Sequence, residues 1–177
     1  MQKVMRILRR GLAYLLDILL LFLVLAPLAF IVERLLGIQP ETGGQVWMAA
    51  ILSFSIPVWA YFTLSDASES GASIGKRIMG VHVSPSAHLS KLTVGRALAR
   101  TALKLLPWEL AHVFGFAVAD RVGEGVRAAG LIGANILTLL YLVVFVVTGG
   151  HRSIHDLVVG TQVVTRSGKD KESSVPQ

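Results

Sequence analysis

Residues 129–148 contain no charged side chain, and an uncharged apolar run of about 20 residues matches the hydrocarbon thickness of a bilayer crossed by a helix. Its most polar group is Asn135. A second run, residues 46–64, is also free of charge and holds Pro57, which predicts a kink. A third, residues 11–32, is interrupted only by Asp17. Lys3, Arg6, Arg9 and Arg10 precede it in the manner of a signal peptide, but about 22 apolar residues exceed a signal core and fit a retained span. Hydrophobic residues make up 53% of the chain and charged residues 16%, too few to coat a water-soluble globule. Backbone polar groups have no partner in lipid, so each run is expected to close its hydrogen bonds internally as a helix.

The net charge of +6 resides in Lys and Arg that flank the apolar runs, where positive-inside topology and anionic headgroups account for it without nucleic acid. The chain has no cysteine, which excludes disulfides, thiolate metal sites and a Cys nucleophile. In residues 89–119, Arg96, Arg100 and Lys104 recur every four residues and form one stripe, while Leu92, Leu98, Leu103 and Leu106 cover the rest. That pattern predicts an amphipathic helix at the interface, with Lys76, Arg77, Arg96, Arg100 and Lys104 meeting anionic lipid headgroups. Pro107 removes one helical hydrogen bond and Trp108 favours the interface, so the chain is expected to turn inward there. A span over 103–119 would carry Glu109 and His112 toward hydrocarbon; a re-entrant hairpin is the alternative.

The amino terminus and residues 65–104 are rich in cations, whereas the connections after the first run and before the last show no positive excess. This predicts four crossings of the cell (inner) membrane with both termini cytoplasmic. Residues 1–166 form one membrane domain in this reading and 167–177 a polar, disordered tail. Two β-prone runs, Gly80-Val81-His82-Val83 and Gly160-Thr161-Gln162-Val163-Val164, each leave a backbone edge unsatisfied alone, so they are expected to pair as a cytoplasmic ribbon. The expected fold class is thus an all-α membrane protein with about four transmembrane helices, an interfacial helix and a short ribbon.

Three blocks in fixed order carry a resemblance: Arg10 through Asp17; Gly71-Ala72-Ser73-Ile74-Gly75-Lys76-Arg77-Ile78-Met79-Gly80; and His151-Arg152-Ser153-Ile154-His155-Asp156. Together they resemble the RDD family of prokaryotic membrane proteins, named for one arginine and two aspartates. The resemblance implies that Arg10, Asp17 and Asp156 are those residues and that Gly75 and Lys76 belong to the family motif. Some members of that family are associated with sodium/proton antiport and others with transport of no known ligand, so the resemblance implies a fold more than a function.

Asp17 lies about two turns into the first span, where an ionised carboxylate must be protonated, paired or wet. Arg10 shares its face, but about 10 Å of helix separates them and Arg10 leans away, so Asp17 is expected to meet Arg96, Arg100, Lys104 or His112 instead. A structural ion pair, a proton or cation site and a shallow wet position are all open readings. Glu109 and His112, three residues apart, are a candidate proton-handling pair, with a wetted helix end as the alternative. The spacing of Ser153 and Asp156 is that of a capping box. His151 and His155 lack a third ligand, and no metal or cofactor site is assigned. Two functions follow: a small transporter coupling a proton or small cation through Asp17, as a homo-oligomer; or a scaffold binding anionic lipids or protein partners through its basic face. No nucleophile, base and orienting residue occur together, so an enzyme is not expected.

Overall fold

A computed structural model describes residues 2–85 and 91–165; the tail expected over 167–177 lies outside the described residues. The first apolar run forms α1 (Gln2–Leu36), which extends the expected span at both ends. Thr42 caps α2 (Gly43–Ala50), accepting from the Gln45 N–H, while the Gln45 side chain accepts from the Thr42 N–H. A π turn over Ile51–Ser55 then leads into α3 (Ile56–Ala67), whose second residue is Pro57. The kink expected at Pro57 therefore takes the form of a wider turn just before it, with the Ile56 N–H reaching back to Ile51.

After a short α4 (Ile74–Ile78) comes β1 (Val81–Pro85). It pairs antiparallel with β2 (Thr161–Thr165), Val83 opposite Val163, so the two β-prone runs do form a ribbon. Val81, Val83 and Val163 bury one face of it against Ala13, Leu92 and Ala97. This small core sits where the ribbon meets the helices.

Residues 94–117 are one continuous helix, α5 (Val94–His112) followed by a π turn over Val113–Ala117. It does not break at Pro107. Proline leaves the carbonyl four residues earlier without a helical partner, and here the Tyr141 hydroxyl donates to that Leu103 carbonyl at 2.7 Å. The hydroxyl comes from α6 (Glu124–Val147). A last short helix, α7 (Ile154–Val159), ends at Gly160 in the left-handed conformation and leads into β2.

Among the described residues, three helical segments are long and apolar enough to cross a membrane: Gln2–Leu36, Gly43–Ala67 and Glu124–Val147. The amino-terminal part of α1, the end of α3, the start of α5 and the end of α6 gather at the ribbon end of the molecule, through Arg10, Asp66, Arg100 and the Gly149-Gly150 carbonyls. At the other end Gly43 meets the Asp120 carboxylate. Successive long helices thus run in alternating directions.

Candidate functional site

Ionisable groups concentrate at the ribbon end, where five elements converge. Asp156, on α7, is 0% exposed and accepts from Arg10 of α1, from Arg100 of α5 at 2.9 Å and from the Thr161 hydroxyl at 2.9 Å. It also accepts from the backbone N–H of Ser153 at 3.0 Å, the reciprocal arm of the expected capping box. Burial opposes ionisation of Asp156, but Arg100 and Arg10 outweigh it and hold the carboxyl well below the usual range. Arg100 is itself 1% exposed and bridges to a second buried carboxylate, Asp66 at the end of α3, which also pairs with Lys76 of α4. Burial lowers the Lys76 pKa although Asp66 works against it. The chain Arg10, Asp156, Arg100, Asp66, Lys76 ties α1, α3, α4, α5 and α7 together.

Asp17 stands apart from this chain. Its carboxylate, 1% exposed, accepts from the Tyr61 hydroxyl at 2.6 Å, the Ser73 hydroxyl at 2.5 Å and the Gly75 N–H at 2.7 Å. A side chain of α1 thereby supplies the anionic cap of α4. Gly75 is required for this approach, since a Cβ there would run into the Ala13 carbonyl.

The residues expected from sequence separate into distinct places. Asp17 has three neutral donors, and neither Arg10 nor any of the expected cations or His112 is its hydrogen-bonded partner. Arg10 is held by Asp156 and by the Gly150 carbonyl at 3.2 Å. Glu109 and His112 do not pair: Glu109 accepts from Trp59 at 2.9 Å and Ser55 at 3.2 Å, while the His112 ring bonds the Trp108 carbonyl and lies between Trp108 and Phe116. The headgroup role expected for the basic stripe is also corrected. Lys76 and Arg100 are buried in ion pairs, and Arg96 donates to the Val159 carbonyl at 2.6 Å and closes the end of α7. Lys104 lies over the Phe62 ring, 2.9 Å from its centre. Of that set Arg77 stays exposed.

Beside the network lies a cavity of about 490 Å³ between α1, α5 and α6. Four cationic side chains, Arg10, Lys76, Arg100 and Lys104, line it against one carboxylate, Asp17. The first three are ion-paired. Lys104 has ring contacts with Phe62 and Tyr14 and, among the described residues, no direct hydrogen bond or ion pair, although the charges of Asp66 and Asp17 act on it. His155 also borders the cavity at 6% exposure; burial and the charge of Arg100 keep its ring well below the ordinary imidazole range, hence neutral at pH 7.

Asp66 is not singled out by the sequence. Its signal is a carboxylate closing an apolar run; α3 extends through Ala67 and draws it inside. Tyr61, Ser73 and Thr161 carry no sequence mark that separates them from other hydroxyl residues.

The order Arg10, Asp17 and Asp156, with Gly75-Lys76 between the aspartates, now has a geometric meaning: two of the three residues named by the motif form one ion pair and the third caps the motif helix. Residues 4–160 match the RDD family. The chain belongs to the RDD family. No curated protein and no solved structure matches it. In this RDD protein the shared blocks form a structural junction with a charged cavity beside it.

Proposed function

We propose that this RDD protein crosses the cell membrane four times and that its cavity receives a negatively charged group at its cytoplasmic end, as a small carrier or receptor without catalytic chemistry. The observation that carries the reading is the cavity wall, where the lining side chains include four cations and one carboxylate and Lys104 makes no direct ion pair. A buried ammonium group without a direct ion pair is costly, and an incoming anion offsets part of that cost. Alternating helix directions support counting residues 94–117 as the fourth crossing, which places Lys3, Arg6, Arg9 and Arg10 on the same, cytoplasmic side as Lys76, Arg77, Lys91 and Arg152.

Coupling of a small cation through Asp17 receives less support, because three donors already occupy its oxygens. The same clamp favours a second reading, a non-transporting scaffold held rigid by buried ion pairs. Thermal unfolding of the purified protein in phosphate, sulfate or acetate, at fixed sodium and ionic strength, tests the anion site. Wild-type protein is expected to gain stability with anion concentration while Lys104→Met does not respond. No response to any anion, with proteoliposomes instead showing proton movement in a sodium, potassium or lithium gradient, would overturn the anion reading and restore a cation route.

A further inference from the structure

The walls of the cavity change character along its length. On α5 the lining residues run from Arg100 and Lys104 to Pro107, Trp108 and Ala111, a rise of about 16 Å from cationic to apolar. Across from them α6 contributes Leu142 and Phe145 nearer the charged end and Ala134 farther away, with Asn135, Thr138 and Tyr141 bonded to backbone carbonyls. A small hydrophilic anion would leave most of that apolar wall unmatched. A ligand with an acidic head and a hydrocarbon chain matches both ends.

The seam between α1 and α6 is thinly packed. Both helices line the cavity, yet they make next to no close backbone approach to each other, Arg10 over the Phe145 ring being a side-chain contact across the seam; α1 packs instead on α4 and on the π turn before α3. Gly11, on the α1 side, has nothing within 4 Å of where a Cβ would stand. A second unmet polar group faces the same ligand problem as Lys104: the Nδ1 atom of His155 is buried and has no hydrogen-bond partner.

From this arrangement we propose that the cavity is a binding site for an anionic membrane amphiphile that enters sideways between α1 and α6, its acidic headgroup on Lys104 and its chain along the α5–α6 wall. The assignment rests on the anion reading of the cavity and names its ligand class. Basic pockets between membrane helices hold acidic headgroups by the same combination of charge and apolar contact.

Trp108 lines the cavity and is 57% exposed, so once Trp47 and Trp59 are replaced by phenylalanine its emission senses cavity and surrounding lipid together, and the difference between two lipids carries the test. The protein is reconstituted in phosphatidylcholine, and brominated-chain phosphatidylglycerol or brominated-chain phosphatidylcholine is titrated in while Trp108 emission is followed. Phosphatidylglycerol is expected to quench with an apparent affinity roughly fivefold higher, the factor that one headgroup–lysine interaction supplies. Lys104→Met should reduce the ratio to one. Gly11→Phe, which fills the entrance and leaves every charge in place, should do the same, so the result does not depend on the Lys104 variant alone. Equal quenching by both lipids in the wild type overturns the proposal. If, in addition, inorganic phosphate or glycerol phosphate stabilises the protein through Lys104, the anion reading stands and the source is a soluble anion; if these fail too, both fall together. Competition by glycerol phosphate as strong as that by the whole lipid also overturns the amphiphile assignment.

Discussion

Asp156 sits in the capping position that its spacing from Ser153 indicates, but capping is the smaller part of its work. Loss of a cap costs about 1 kcal/mol. Replacing this carboxylate also strands Arg10 in a mostly buried site, and removal of one member of a buried ion pair costs about 3–5 kcal/mol. Asp156→Asn is therefore expected to lower the stability of the purified protein by several times the loss caused by Ser153→Ala, measured as denaturant or thermal unfolding in detergent. Equal losses in the two variants would reduce Asp156 to a cap. Helix geometry in the sequence places Asp17 inside the first span and argues against a bond to Arg10. It did not reveal Asp17's partners, because a buried carboxylate directs attention to cations, whereas Tyr61, Ser73 and a backbone N–H supply the donors.

Pattern within elements was a better guide to where helices lie than to what they face. The apolar runs, the paired β-prone segments and the carbonyl freed by Pro107 were all readable from residue type and spacing. The stripe of Arg96, Arg100 and Lys104 was readable as a stripe, yet periodicity does not distinguish a face turned to headgroups from one turned to buried carboxylates contributed by distant residues. What decides the matter is α4, which Gly75 allows to lie against α1 and which carries Lys76 to Asp66. Gly75→Ala is expected to cost about 1–3 kcal/mol, since the new methyl meets backbone and cannot be relieved by a rotamer change. Gly11→Ala, in a helical position with open space around it, should instead gain up to about 1 kcal/mol. The two glycine variants, compared by unfolding midpoint, separate close packing from helix propensity; a neutral Gly75→Ala would mean that α4 can shift without loss.

At the scale of the whole molecule, the buried charges and the direction of the helices constrain each other. The ion-paired network needs the beginnings of α1 and α5 and the end of α3 at one level, with α7 following directly from α6, and this holds only if each long helix reverses the direction of the one before. If 94–117 did not cross, the end of α3 and the end of α6 would lie on opposite sides of the membrane, and Arg100 could not bridge Asp66 to Asp156. The network and the proposed four crossings therefore stand or fall together. Single cysteines test this cleanly in a chain that has none of its own. Cysteines at Glu69 and Lys91, both exposed at the ribbon end, are expected to react with an impermeant maleimide only after the cells are opened, whereas cysteines at Glu41 and Glu124 should react in intact cells. Labelling of Glu41→Cys and Glu69→Cys from the same side would overturn the second crossing. Labelling of Lys91→Cys and Glu124→Cys from the same side would make 94–117 a re-entrant segment, and the bridge through Arg100 could then not form within one chain.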